Sequence, residues 1–151
     1  MRWHVFLLLL VFIMGCSSES QPHEPPRILY GQDACDQCRM IINDPAFAAA
    51  YRLADGTPRR FDDIGCMVRY IQEHNEQPAY AWVHDYDTEA WIDARSAYYI
   101  RSARIITPMA YGFIAVSSRE RATQLADSLQ GEVFTYDELL PLAMEPLIPQ
   151  S

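Results

Sequence analysis

The sequence predicts an α+β fold built from two related β-β-α-β modules, over about residues 30–86 and 87–140. Three observations carry this. Two helical patterns each follow a capping residue, short aromatic and β-branched runs flank both, and the order of elements is the same in each half.

In the first half, residues 46–53 are small and apolar, Asp55-Gly56 supplies a turn, and residues 58–61 lead out of it, which reads as a hairpin. Asp62 or Asp63 then caps a helix running to about Asn75, with Ile64, Met67, Val68 and Ile71 on one face. Cys66 falls opposite that face and is not read as core. Residues 79–83 make a short strand. In the second half, residues 91–100 and 111–116 read as strands, and Ser117 or Ser118 caps a helix through Leu129. Ala122, Leu125, Ala126 and Leu129 form its apolar face; Gly131 ends it, and residues 132–135 close the unit.

The ends read differently. Residues 5–14 form an unbroken apolar run after Arg2, then Gly15 precedes Cys16. A positive start, a short apolar stretch and a small residue before the cut describe a secretory signal at residues 1–15. The run is too short to cross a bilayer, which takes roughly 20 residues. The Ile13-Met14-Gly15-Cys16 ending resembles a lipobox, which implies that Cys16 carries the lipid. Acyl chains contribute roughly 0.8 kcal/mol per buried methylene, so several of them hold a protein at a membrane. Ser17 follows the cysteine, and its resemblance to enterobacterial sorting favours the outer membrane. Residues 16–29, with Pro22, Pro25 and Pro26, read as a disordered tether, and residues 141–151 as a loose tail.

The chain carries a net charge of −8. Its basic residues are all arginine, and removal of residues 1–15 takes Arg2 from the twelve of them and none of the twenty acidic ones. An acidic domain without a basic stripe excludes nucleic acid as a partner on electrostatic grounds. No Ser/His/Asp order, phosphate-binding glycine loop or supported carboxylate pair points to hydrolysis, so the chain is read as a non-enzyme.

Cys35, Cys38 and Cys66 remain beside Cys16, and an odd thiol outside the cytoplasm is notable. Cys35-x-x-Cys38 admits several chemistries. Haem attachment needs His where Arg39 stands. A redox pair should open a helix after a strand, whereas a tether lies upstream and Pro45 downstream. A structural zinc site needs four ligands, and a fourth Cys or His is missing from the pattern. A disulfide between Cys35 and Cys38, or from one of them to Cys66, stays open. So does soft-metal binding: thiolates together with the thioether of Met40 select Cu(I) over hard cations. In an extended segment Cys38 and Met40 would share a face. His74 and His84 are read as packing or surface residues.

Cys35-x-x-Cys38-x-Met40-x-Ile42, then Phe61-Asp62-Asp63 and Asp85-Tyr86, stand in a recognisable order. Trp91-Ile92-Asp93-Ala94, Pro108-Met109, Gly131-x-Val133-Phe134 and Asp137-Glu138-Leu139 complete it. This ordered set resembles the NosL copper lipoproteins across nearly the whole chain after the signal. The resemblance implies two β-β-α-β modules and a Cu(I) metallochaperone at the periplasmic face of a membrane. It further implies apo nitrous oxide reductase and its maturation machinery as partners. By the same resemblance Cys38 and Met40 form the first ligand pair, and Met109 is a ligand from the second module. Cys35 is a further candidate. Arg39 and Ala110 stand where the family commonly has glycine. A periplasmic thiol-disulfide oxidoreductase using Cys35 and Cys38 is the alternative.

Overall fold

The computed structural model describes residues 23–147; the expected signal peptide, Cys16 and the start of the expected tether at one end, and residues 148–151 of the tail at the other, lie outside the described residues. A 3-10 turn, Pro45–Phe47, leads into strands β1 (Ala49–Arg52) and β2 (Pro58–Phe61), helix α1 (Ile64–His74), and strands β3 (Tyr80–His84) and β4 (Trp91–Asp93). The second half contains β5 (Tyr98–Arg101), β6 (Phe113–Val116), α2 (Arg119–Leu129), β7 (Glu132–Phe134) and a last turn of helix, α3 (Tyr136–Leu139).

The strands form two antiparallel sheets, ordered β2-β1-β3-β4 and β6-β5-β7. The internal repeat holds at the level of topology. In each half the first strand is central, its hairpin partner lies on one side, and the strand that follows the helix lies on the other. The α+β architecture expected from the sequence is therefore present. The two sheets are joined where β3 ends: Asp85 bridges Ala115, and the Tyr86 amide donates to the Ala115 carbonyl at 2.8 Å.

Alternation along the second sheet explains how the halves share a core. Tyr99, Phe113 and Ala115 point into the main core with Tyr51, Phe61, Ile64, Met67 and Val83. Their neighbours Ile100, Ile114 and Val116 point the other way, onto Ala122, Leu125 and Ala126 of α2. The period-2 pleat thus buries both faces of one sheet.

Capping fixes the helix starts. The Asp63 carboxylate accepts from the Gly65 amide at 2.8 Å, and the Ser118 hydroxyl accepts from the Arg121 amide at 3.2 Å, each bond contributing about 1 kcal/mol. α1 ends on Asn75 in the left-handed region, as expected, but α2 ends on left-handed Gln130 and not on Gly131. Gly131 serves a different need: a Cβ there would sit 2.8 Å from the Arg101 carbonyl oxygen.

Four expectations need correction. The strand expected over 91–100 is two strands in different sheets, because the chain turns at residues 94–96, where the Asp93 carboxylate accepts from the Arg95 amide at 2.7 Å. The first sheet consequently continues past residue 86. β1 begins at Ala49 because Pro45, capped by Asp44, starts a 3-10 turn first. Residues 23–29 are not a free tether: Pro26 and Ile28 are buried, and the Arg52 and Arg60 guanidinium groups donate to the Glu24 and Arg27 carbonyls at 3.1 and 2.7 Å. Nor is the tail loose over residues 141–147. Met144 is buried, Gln72 donates to the Leu140 and Leu142 carbonyls, and the Arg101 guanidinium donates to the Glu145 carbonyl at 2.7 Å.

Packing is close at the start of α1. A Cβ on Gly65 would lie 2.3 Å from the Tyr111 ring, so the aromatic ring rests directly on the helix backbone. Gly65→Ala should therefore destabilise the protein by about 1–3 kcal/mol, read as a lower urea midpoint, since neither backbone can retreat freely. An unchanged midpoint would show that this contact is slack.

Candidate metal centre

The loop before β1 folds back on itself and presents two sulfurs. Ala34 bridges Ile41, the Cys35 amide donates to the Met40 carbonyl at 2.8 Å, and the Ile42 amide donates to the Asp33 carbonyl at 2.9 Å. Inside this frame residues 36–38 form a turn closed by the Arg39 amide, which donates to the Cys35 carbonyl at 3.0 Å. The Cys38 amide points at the Cys35 sulfur, 3.5 Å away. Asp36 ties the turn to β2 through the Arg60 amide at 2.7 Å and the Arg60 carbonyl at 2.8 Å.

This turn faces the first turn of α1. There Cys66, the third residue of the helix, and Asp62, just before the cap, complete a group with Cys35 and Cys38. The four donor atoms all lie within 4.8 Å of one another. Cys35 and Cys66 are fully buried, Asp62 is 2% exposed, and Cys38 is half-buried, so Cys38 forms the solvent-facing edge. All three cysteines are free thiols. The pair Cys35 and Cys38 stands in a closed turn and not at a helix start, unlike the arrangement that activates redox thiols.

Electrostatics distinguish the sulfurs. The Cys66 thiol donates to Cys35 and so lowers the Cys35 pKa, helped by the Cys38 and Asp62 amides against the effect of burial. The donating Cys66 thiol is pushed well up by that same bond and by burial. Burial also pushes Cys38 up to about 12, and its thiol donates to both Asp62 carboxylate oxygens at 3.3 and 3.4 Å.

The other sequence candidates stand around this group. Met40 is 52% exposed, on the outer side of the cysteine turn. Its expected alignment with Cys38 assumed extended backbone, whereas Arg39 between them is left-handed, with φ 67°. Met109 packs partly buried against the main core, and its amide donates to the Asp63 carboxylate at 3.1 Å. That carboxylate, fully buried, therefore holds both the first turn of α1 and the Met109 loop from the second module. Ala110 is left-handed too, with φ 58°. Both positions where glycine was expected by resemblance thus adopt backbone that costs a side-chain-bearing residue roughly 1–2 kcal/mol.

His84 is a structural residue. Its Nδ1–H donates to the Ala48 carbonyl at 3.1 Å, its Nε2 accepts from the Tyr30 hydroxyl at 3.3 Å, and it packs on Trp91. His74 stacks on Tyr70 at the far end of α1. Sequence reasoning missed two members of the group, Cys66 and Asp62. The surplus third thiol was the signal for the first.

The sequence model of the NosL family matches residues 26–144. The chain belongs to the NosL family. Its fold is similar to that of a solved structure, the copper chaperone NosL from Shewanella denitrificans, with a TM-score of 0.69 at 17% identity. That likeness covers 80% of this chain and 98% of the other, so the NosL fold accounts for both modules. Among curated proteins none matches.

Cation capture by these sulfurs requires loss of the Cys38 and Cys66 protons, so affinity should rise with pH from neutrality toward 12. Calorimetric titration with Ag(I), a soft probe, in buffers of different ionisation enthalpy should show proton release. Cys66→Ser should release about one proton fewer per ion. Equal release from both proteins would place Cys66 outside the bound shell.

Proposed function

We propose that this NosL-family protein is a metallochaperone that carries Cu(I) as cargo. The observation that carries the reading is the convergence of three buried or half-buried sulfurs on one point. Thiolate donors select soft monovalent copper over hard cations. The Shewanella denitrificans relative, named as a copper chaperone, supports the same reading.

Cys35, Cys38 and Cys66 are the holding ligands. Cys38, on the exposed edge, is the sulfur that a recipient reaches first, while the two fully buried thiols retain the ion until exchange begins. Met40, exposed and two residues along the chain from Cys38, offers a thioether during that exchange; Met109, at the module junction, is a further candidate donor. The Arg39 amide, donating to the Cys35 carbonyl from a left-handed backbone, keeps the cysteine turn closed. A site that must release its cargo benefits from one accessible ligand among inaccessible ones, because a partner can replace the ligands stepwise.

The protein's setting is part of the proposal. Cys16 bears the lipid, the folded domain works at the periplasmic face of a membrane, the outer membrane by the Ser17 rule, and the recipient is nitrous oxide reductase at the stage of copper-centre assembly. The lipobox-like start and the family support this reading.

Replacing Cys38 with Ser should abolish tight Cu(I) binding by the reduced chain in anaerobic competition with a chelator, whereas Met40→Leu should weaken it. Unchanged affinity in Cys38→Ser would remove Cys38 from the site.

A further inference from the structure

Three adjacent free thiols are a reactive group in their own right. The sulfurs of Cys35, Cys38 and Cys66 lie within 4.8 Å of one another, and no disulfide joins them. They differ in access: Cys35 and Cys66 are fully buried, and of the three only Cys38 meets solvent. They differ also in bonding. The Cys38 thiol donates to both oxygens of the Asp62 carboxylate, at 3.3 and 3.4 Å. The Cys35 sulfur instead receives, from the Cys66 thiol and from the Cys38 amide at 3.5 Å. Cys38 therefore has an open side and a proton acceptor beside it, and Cys35 has a sulfur surrounded by donors.

We propose that Cys38 is a site of reversible modification by small disulfides, with Cys35 as the resolving thiol and a Cys35–Cys38 disulfide as the product. In the first step the Cys38 sulfur attacks one sulfur of the incoming disulfide while its proton passes to Asp62. The incoming S–S bond breaks, a mixed disulfide forms on Cys38, and the departing thiolate takes the proton from Asp62. In the second step the Cys35 sulfur attacks the Cys38 sulfur, and the second small thiol departs with the Cys35 proton. Two cysteine thiols are oxidised, and one small disulfide is reduced to two thiols. The turn over residues 36–38 makes the product reachable. Residues three apart in a turn have Cα atoms within about 7 Å, and a disulfide takes about 4.4–6.8 Å. Cys66 stays reduced, with its thiol on Cys35. The pair does not open a helix, the placement that activates catalytic thiols, so the event is one stoichiometric oxidation and not turnover. Outside the cytoplasm, the setting proposed above, disulfide oxidants persist. The inference needs no ion and stands apart from the cargo reading. Where both hold, the bond withdraws two of the three sulfurs, and reduction becomes a condition of loading.

The test treats the reduced, metal-free chain with oxidised glutathione and follows intact mass and peptide maps. The expected product has lost two hydrogen atoms, carries no glutathione, maps to Cys35–Cys38 and returns to its starting mass with dithiothreitol. Cys38→Ser should keep Cys35 and Cys66 as thiols under the same treatment, and Cys35→Ser should stop at the glutathione adduct on Cys38. A lasting adduct on Cys38 in the unmodified chain, a bond to Cys66, or no reaction over hours would overturn the proposal, as would oxidation of the Cys38→Ser protein. If Cys35→Ser does not fold, the mapped bond of the unmodified chain and the Cys38→Ser protein decide. Because mass is read without metal, failure here leaves the cargo reading standing, and failure to capture Cu(I) leaves this one.

Discussion

The first turn of α1 is the constraint on which the rest depends. Residues Ile64 to Val68 are all buried, because that turn is enclosed on every side: the sheet below, the cysteine turn on one flank, and the Met109–Tyr111 loop on another. Gly65 permits the Tyr111 ring to lie on the backbone, and Asp63 fastens the same loop through its second oxygen. Only with the turn so fixed do Cys66 and Asp62 reach the sulfurs of Cys35 and Cys38. Stability and chemistry are therefore coupled at one place. The buried carboxylates and thiols that burden folding are the same groups that can receive a cation.

The two modules divide this work unequally. The first supplies all four donors, from a closed turn and a helix start. The second supplies a clamp, and its sheet is buried on both faces to hold the clamp still. A repeat of topology has thus acquired an asymmetric role, with Asp85 and Ala115 stitching the halves at their other contact.

Much of this was legible in the residues. A cap at Asp62 or Asp63 and another at Ser117 or Ser118, the Asp55-Gly56 turn and the paired order of elements follow from local rules, and the structure has the turn, the order and the second residue of each pair as the cap. The spacing of Cys35 and Cys38 left a disulfide and a soft-metal site both open, and the ordered motifs along the rest of the chain favoured the metal. Cys66 was not legible, because a helical wheel drawn through Ile64, Met67, Val68 and Ile71 assumes one wet face, and a helix start enclosed on all sides has none. Asp62 was hidden by its neighbour: either aspartate could cap, and only the fold assigns Asp63 to the helix and Asp62 to the sulfurs. The split of residues 91–100 also depends on partners distant in sequence, since Trp91–Asp93 pairs with β3 and Tyr98–Arg101 with β6 and β7.

The central claim is that the sulfur of Cys66, delivered by α1, joins those of the cysteine turn around one Cu(I) ion. X-ray absorption at the copper edge, on the Cu(I)-loaded chain and on its Cys66→Ser counterpart, counts those sulfurs. A trigonal all-sulfur shell that loses one sulfur neighbour in the serine protein is the result expected here. An identical shell in both would contradict it.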